Sequence, residues 1–170
     1  MRRPNGIIFD LDQTLVDTSF VQHYRDSGQW KMVYENLHET KPYNQIDDLL
    51  IYLRKTDFKI GIVTSAVSKY CHKIINLNNW NFDAIIAYHD TRQHKPHHEP
   101  ITKCLSKLEL NGKNVISIGD KADDIFSAKS AGTITIGALW GSAEHEKLTQ
   151  SNPNLIAQSP KDIIYYIEKL

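Results

Sequence analysis

The chain has 170 residues, and its 20 basic residues balance 20 acidic ones, which gives a formal net charge of zero. This balance excludes a generally basic surface for nucleic acid or anionic membranes, and the length fits one domain with its own core. The two cysteines exclude a disulfide framework and favour a reducing, cytoplasmic location, while no apolar run approaches the roughly 20 residues of a membrane span.

Five short apolar runs, rich in β-branched residues and bounded by glycine or polar residues, predict strands that are buried on both faces. They cover residues 7–9, 60–63, 84–88, 115–118 and 133–139. Apolar residues at helical spacing lie between several of these runs, and the last helix is predicted to start at Ser159, with Pro160 and Asp162 in its first turn. This alternation predicts an α/β fold, a three-layer, doubly wound, mainly parallel sheet with helices on both faces.

Residues 17–42 interrupt this alternation, because they carry no strand pattern. Two short amphipathic helices, split by Ser27 and Gly28, are predicted here from the spacing of Phe20, Tyr24, Trp30, Val33, Tyr34 and Leu37. The stretch is too short to bury a core of its own. We therefore expect a single domain over residues 1–170, in which residues 17–42 are a helical insertion after the first strand.

The residues that end each strand are candidates for a site, because ligands bind beyond the carboxyl ends of parallel strands. The first run ends in Asp10 and Asp12, which point the same way if the strand geometry continues. By itself this pattern is also typical of an ordinary acidic turn. The fourth run is followed by Asp120, Asp123 and Asp124; acids that favour a helix N-terminus explain the last two, but not Asp120.

A metal site follows if the first and fourth strands are neighbours, because Asp10, Asp12, Asp120 and Asp124 then converge. Four carboxylates cannot share a pocket without a counter-charge. A hard cation with oxygen ligands supplies it, and Mg²⁺ fits because it binds through a few carboxylates, waters and phosphate oxygens.

Two further loops carry groups that suit an anion. The second run ends in Thr64 and Ser65, whose hydroxyls and following backbone N–H groups can hold an anion. Lys95 follows the third run and provides a point charge suited to phosphate. Each of these is by itself typical of a solvated loop. Their common position at one sheet edge favours a phosphate site.

The order of these elements resembles the haloacid dehalogenase-like hydrolase superfamily, over essentially the whole chain. Its ordered motifs are matched by FDLDQTLVD (9–17), IVTS (62–65), HKP (94–96) and ISIGDKADDI (116–125). The following SAKSAG (127–132) and the strand after it are similar to the phosphoglycolate-phosphatase-type branch. These motifs are specific for the superfamily and say little about the substrate.

The resemblance implies a role for each carboxylate of the first motif. Asp10 is implied to be the nucleophile that forms an aspartyl-phosphate. Asp12 is implied to be the general acid that protonates the leaving oxygen and then the base that activates water. An aspartate at this second position favours a Mg²⁺-dependent phosphatase over an ATPase or a dehalogenase, because it can shuttle the proton that hydrolysis needs.

The other motifs are implied to bind phosphate and metal. Thr64 would bind the phosphoryl group, and Lys95 would neutralise it and orient the nucleophile. Asp120 would bind Mg²⁺ beside Asp10 and the backbone carbonyl of Asp12. Asp124 would support the metal.

Three assignments in these motifs stay open. Asp123 is an alternative to Asp124, and Ser65 is an alternative to Thr64. Lys121, which follows Asp120, is expected to face solvent at the start of a helix, with contact to neighbouring acids or to substrate as the alternative.

Two other features have a structural interpretation. The histidines 89, 94, 97 and 98 match no zinc spacing and include no cysteine, so a metal site is disfavoured here. His97 and His98 are expected to line the loop ahead of the helix at Ile101. Trp140 is expected to be a packing residue after the fifth strand.

The short insertion bears on the substrate. It is smaller than the helical cap of many relatives, so the site is expected to be open and beside a small lid. An open site suits a polynucleotide or protein phosphate, but between positions 18 and 41 three basic residues balance three acidic ones, which disfavours nucleic acid. A small or medium phosphorylated metabolite is predicted, with His23, Arg25 and Trp30 as specificity residues or ordinary packing residues. Arg25 is expected to bind a second anionic group, and the phosphate chemistry is expected not to depend on it.

Two other classes of function are the alternatives. A phospho-accepting signalling domain also uses a strand-end aspartate with Mg²⁺, but Asp12 beside an acceptor on the first strand favours turnover. A non-catalytic relative is disfavoured because the core motif residues are all present. The oligomeric state is not predicted.

Overall fold

The computed structural model describes residues 3–170 and contains one six-stranded parallel sheet and one antiparallel pair. The strands are β1 (Gly6–Phe9), β2 (Val16–Asp17), β3 (Lys41–Pro42), β4 (Lys59–Val63), β5 (Ala84–Ile86), β6 (Val115–Gly119), β7 (Ile134–Ala138) and β8 (Leu155–Ala157). The helices are α1 (Ser19–Asp26), α2 (Trp30–Glu35), α3 (Ile46–Lys55), α4 (Ser68–Leu77), α5 (Glu99–Leu108), α6 (Ala122–Ser130), α7 (His145–Gln150) and α8 (Pro160–Glu168). The sheet order is β5-β4-β1-β6-β7-β8.

Helices cover both faces of the sheet, as the alternation of β1 illustrates. Ile7 and Phe9 belong to a large apolar cluster that includes residues of α3, α4 and α8, whereas Ile8 belongs to a second cluster with residues of α5. Successive side chains of a strand point to opposite faces, so a fully apolar strand needs cover on both. The predicted three-layer α/β fold is confirmed.

Two of the strand predictions need correction. The third strand ends at Ile86 instead of position 88, because Tyr88–Asp90 form a 3-10 turn. The sheet also has a sixth strand, Leu155–Ala157, which the sequence analysis did not predict although its three residues form a short apolar run. The last helix begins as predicted, and the backbone N–H of Ser159 donates to Asp162 Oδ2 at 2.9 Å.

The insertion contains the two predicted helices, α1 and α2, with a break at Gly28, where φ is +69°. The expectation that it carries no strand is wrong at its two ends. β2 and β3 pair antiparallel and join the ends of the insertion at its base. Each strand has two residues, which is too short for an alternating pattern to be recognised.

The central position of β1 sets the place of the site. It pairs in parallel with β4 on one side and β6 on the other, and Phe9 lies opposite both Ile62 and Ile118. The loops after these three strands therefore leave the sheet side by side. In residues 3–170, none of the helices is long and apolar enough to cross a membrane.

Candidate active site

Backbone hydrogen bonds fix the first residue after each of two strands. The N–H of Asp10 donates to the carbonyl of Ile118 at 2.9 Å, and the N–H of Thr64 donates to the carbonyl of Ile86 at 2.9 Å. These bonds continue the ladder by one residue, so Asp10 and Thr64 are held as rigidly as the strands. Both residues lie at the carboxyl edge of the sheet, where the sequence placed them.

Lys95 joins two of the aspartates. Its Nζ lies 2.7 Å from Asp10 Oδ1 and 2.7 Å from Asp124 Oδ1, and its side chain is only 7% exposed. Burial opposes the charged ammonium, but the two carboxylates outweigh this and raise the pKa of Lys95 above its usual value. Lys95 is therefore a buried, permanently positive group beside Asp10.

Asp120 completes an acidic cluster with Asp10 and Asp124. One carboxylate oxygen from each lies within 4.8 Å of the others. Burial, followed by the repulsion between the neighbouring carboxylates, raises the pKa of Asp120 to about 8. Burial is also the largest cause that raises the pKa of Asp10 to about 7, although Lys95 lowers it and Asp124 and Asp12 raise it further. Three carboxylates against one ammonium leave an excess of two negative charges when all are ionised.

This cluster fits a divalent cation of the Mg²⁺ type. Its donors are hard carboxylate oxygens, the ligands that Mg²⁺ prefers. The excess charge equals that of one divalent ion. The pKa values of Asp10 and Asp120 are raised first by burial and then by repulsion between carboxylates, and a bound cation would offset this repulsion. The Thr14 hydroxyl donates to Asp120 Oδ1 at 3.2 Å and so orients that carboxylate.

Asp124, rather than Asp123, belongs to this cluster. Asp124 lies in the first turn of α6, and its Oδ2 accepts a hydrogen bond from the backbone N–H of Lys121 at 3.0 Å. Gly119 makes room for it, because a Cβ at that position would lie 2.3 Å from the Cβ of Asp124. The end of β6 and the start of α6 together fix this carboxylate.

The carboxylate of Asp12 does not join the cluster, contrary to the expectation that four carboxylates converge. The strand does not continue to Asp12, because β1 ends at Phe9 and the chain turns at Gln13, where φ is +61°. The condition under which both aspartates were expected to point the same way is therefore not met.

Three donors hold Asp12 instead, all on Oδ1. They are the Thr18 hydroxyl at 2.8 Å, Arg25 NH1 at 2.8 Å and the Tyr70 hydroxyl at 2.7 Å. Arg25 is thus bound to Asp12 through NH1 in this structure, and its guanidinium lies 4.6 Å from the centre of the Tyr70 ring. Whether its other N–H groups bind a second anionic group stays a prediction. Burial, and then the charge of Asp12, raises the pKa of the Tyr70 hydroxyl, which therefore stays protonated as a donor.

Tyr70 and Thr18 are site residues that the sequence patterns did not identify. Tyr70 lies on α4 and is completely buried. A buried tyrosine hydroxyl needs a polar partner. The residues near Tyr70 in the sequence do not indicate which distant residue provides it.

Thr64 and Ser65 differ in their environment. Thr64 is buried, and its hydroxyl oxygen accepts a hydrogen bond from the backbone N–H of Ala66 at 3.0 Å, whereas Ser65 is exposed. The Thr64 hydroxyl is therefore fixed by its own loop, and its O–H can donate.

Two cavities flank the site region. A cleft of about 280 Å³ is lined by Arg25 and Trp30 of the insertion and by Ser65 and Tyr88 of the core. A larger cavity of about 620 Å³ lies between α6 and α7. Neither cavity is lined by the side chains of Asp10, Asp12, Thr64, Lys95, Asp120 or Asp124. The smaller cleft is the one that adjoins Asp12, because Arg25 lines it and donates to Asp12.

The other residues considered in the sequence analysis, the histidines and Trp140, make packing or hydrogen-bond contacts within the protein. The metal-type cluster found within residues 3–170 consists of aspartates and includes none of the histidines. His94 stacks on Tyr88 with ring centres 4.0 Å apart, and the carbonyl of His97 accepts from the Ser127 hydroxyl. Trp140 packs on the core, and its indole N–H donates to the carbonyl of Thr14.

Comparison with known proteins identifies the family of this chain. Residues 19–138 match the family model described as haloacid dehalogenase-like hydrolase, a range that starts after Asp10 and Asp12. The pyrophosphatase PpaX of Anoxybacillus flavithermus is 31% identical over 127 residues, which are 73% of this chain and 59% of that protein. The phosphoglycolate phosphatase of Aquifex aeolicus is 31% identical over 147 residues, which are 85% of this chain and 64% of that protein.

A solved structure shows the same fold. The haloacid dehalogenase-like hydrolase SP0104 from Streptococcus pneumoniae superposes with a TM-score of 0.80 at 23% identity, and the match covers 98% of this chain and 99% of that one. The chain belongs to the haloacid dehalogenase-like hydrolase family, and the resemblance carried by its motifs is confirmed. Its matches span about three-fifths of the length of the first curated relatives.

Proposed function

We propose that the chain is a Mg²⁺-dependent phosphatase that hydrolyses a phosphate monoester through an aspartyl-phosphate on Asp10. The observation that carries this proposal is the ion pair of the buried Lys95 with Asp10 inside the acidic cluster. Phosphoryl transfer asks mainly for positioned groups and neutralised charge, and this arrangement supplies both.

Asp10 is the proposed nucleophile. One of its carboxylate oxygens attacks phosphorus, and the bond from phosphorus to the leaving oxygen breaks. Lys95 holds Asp10 in a fixed rotamer and offsets the repulsion between the carboxylate and the anionic substrate. The Thr64 hydroxyl, at the end of the neighbouring strand, is the proposed donor to a phosphoryl oxygen.

Asp12 is the proposed acid and base. It gives its proton to the leaving oxygen in the first step and takes a proton from water in the second. The water oxygen then attacks phosphorus, the bond to Asp10 breaks, and phosphate and the free carboxylate are restored.

Asp10, Asp120 and Asp124 are the proposed side-chain ligands of Mg²⁺, together with the backbone carbonyl of Asp12. When bound, the ion supplies positive charge that screens the nucleophile from the phosphate. Thr14 and Lys121 orient two of these carboxylates through the hydrogen bonds described above.

A small or medium phosphorylated metabolite is the proposed substrate. The relatives reported above, a pyrophosphatase and a phosphoglycolate phosphatase, support a compact phosphate compound. We further propose that residues 17–42 are a reduced cap on a single domain, with the cleft beside Trp30 as the place of the leaving group. Both cysteines are free and buried, which supports a cytoplasmic setting.

The test is multiple-turnover release of phosphate from a panel of phosphorylated metabolites, with polynucleotide and protein phosphates as a second panel. Repeated release from a small metabolite supports the proposal. Stoichiometric phosphorylation of the chain without turnover would instead identify a phospho-accepting domain, and a preference for the second panel would overturn the substrate class.

A further inference from the structure

The donors on Asp12 come from three different parts of the molecule. Thr18 lies in the loop before α1, Arg25 lies on α1 of the insertion, and Tyr70 lies on α4 of the core. Tyr70 also accepts a hydrogen bond from Arg25 NH1 at 3.3 Å, so the two donors are linked to each other. The carboxylate is therefore fixed from both the insertion and the core.

All three donors bind the same oxygen. A carboxylate oxygen offers about two lone-pair sites, so three donors fill Oδ1 completely. In the part of the chain that the structure describes, no side chain or backbone group donates to Oδ2. The three hydrogen bonds to Oδ1 therefore determine where Oδ2 points.

We propose that Tyr70 and Arg25 are positioning residues that orient Asp12 for proton transfer, an inference that rests on the proposed phosphatase function. They act through Asp12 and need no contact with substrate. General acid catalysis needs the acid within hydrogen-bond reach of the leaving oxygen, so a rotamer change of Asp12 removes it. The insertion thus contributes to the chemistry through Arg25, contrary to the expectation from the sequence that only specificity depends on it.

The experiment varies the leaving group. Protonation matters most when the leaving oxygen is strongly basic, as in an alkyl phosphate, and least for 4-nitrophenyl phosphate. We would measure kcat/KM, which reports the first phosphoryl transfer, for ethyl phosphate and 4-nitrophenyl phosphate with Mg²⁺. For Tyr70→Phe, which keeps the buried ring, we expect a loss of about 10-fold to 100-fold on ethyl phosphate and a loss at least ten times smaller on 4-nitrophenyl phosphate.

Matched variants separate positioning from a general structural effect. Tyr52→Phe removes a hydroxyl from a tyrosine of α3 that packs on the same apolar cluster. This variant should leave unchanged the ratio of the kcat/KM values for the two substrates. Arg25→Ala should act like Tyr70→Phe, with partial recovery in Arg25→Lys. In an Asp12→Asn background, Tyr70→Phe should have no further effect on the ratio, because groups that act through one residue are not additive.

Several results would overturn the inference. Equal losses on both substrates, or losses that add to those of Asp12→Asn, would give Tyr70 a merely structural role. A gain of ethyl phosphate activity in Arg25→Ala would mean that Arg25 restrains Asp12. Only this inference fails if the wild type is active and Asp12→Asn changes the ratio of the kcat/KM values, but Tyr70→Phe and Arg25→Ala do not. If the wild type releases no phosphate, the proposed function itself fails.

Discussion

Lys95 and Asp10 are 85 positions apart in the chain, and Nζ of the first lies 2.7 Å from Oδ1 of the second. The ion pair places Lys95, in the loop after β5, next to the carboxyl end of β1 in the centre of the sheet. It gives the proposed nucleophile a fixed direction and a buried positive charge. The predictions below follow from this relationship and from the groups around it.

Asp10→Asn should abolish phosphate release while the protein stays folded, because the attacking oxyanion is lost. Asp12→Asn should slow turnover by about 10² to 10⁴, since both proton transfers lose their carrier. Steady-state phosphate release measures both effects, and circular dichroism checks the fold. Turnover near the wild-type rate in Asp10→Asn would contradict the assignment of the nucleophile.

Chelation should remove activity, and Mg²⁺ should restore it. Calcium should bind but support activity poorly, because its larger and more flexible coordination shell misplaces Asp10. Asp124→Asn should raise the Mg²⁺ concentration needed for half-maximal activity. Asp123→Asn is the matched control, since its carboxylate lies outside the cluster, and it should leave this concentration unchanged. Full activity in metal-free buffer would refute the metal site.

The stability of the metal-free protein should fall between about pH 4 and pH 8. The pKa values of Asp10 and Asp120 are raised from 3.8 to about 7 and about 8 in the folded protein. A raised folded pKa gives a contribution to stability that is full below the unfolded value and is lost as the pH rises through the folded value. Thermal unfolding in chelator over this range measures the fall.

Two controls accompany that pH series. Asp120→Asn should flatten the dependence, whereas Asp57→Asn, which changes an exposed acid, should not. Added Mg²⁺ should stabilise the protein more at pH 8 than at pH 5, because protons compete with the ion for the same carboxylates. A stability that rises steadily from pH 5 to pH 8 in chelator would count against the buried cluster.

Gly119→Ala should weaken Mg²⁺ binding, because its new Cβ would lie 2.3 Å from the Cβ of Asp124 and force that side chain away. Overpacking of this kind costs about 1–3 kcal/mol in the free energy of unfolding. Gly28→Ala is the control: its φ is +69° and a Cβ there meets nothing within 4 Å, so only stability should fall. Isothermal titration calorimetry compares the Mg²⁺ affinities of the two variants. Equal affinities would argue against the conclusion that Gly119 makes room for Asp124.

Trp30→Ala should raise KM for the physiological substrate with little change in kcat. Trp30 lines the cleft beside Ser65 and is 37% exposed, so its ring is available to a leaving group. Phe20→Ala is the control, because Phe20 is exposed on the same insertion but does not line the cleft. If neither variant changes KM for any substrate in the panel, Trp30 is a packing residue.

Much of the sheet and its candidate residues could be predicted locally. A short buried strand such as β1 is a continuous apolar run, and the residue that ends it is visible as the first polar position, which is how Asp10, Thr64 and Asp120 were found. β2 and β3 were missed because two residues carry no periodicity. β8 was also missed, although its three residues are as many as those of β5, which was predicted.

The sequence by itself determined the α/β class, the strand-end residues and the family, because these depend on runs and spacings within a few neighbouring residues. Only the tertiary structure decided that Asp12 leaves the acidic cluster and is held by Arg25 and Tyr70, and that Thr14 bonds Asp120. Tyr70 and Asp12 are 58 positions apart, and Thr14 and Asp120 are 106 apart. Such pairings join residues of elements that are distant in the chain, and a local pattern does not encode which distant side chain meets which.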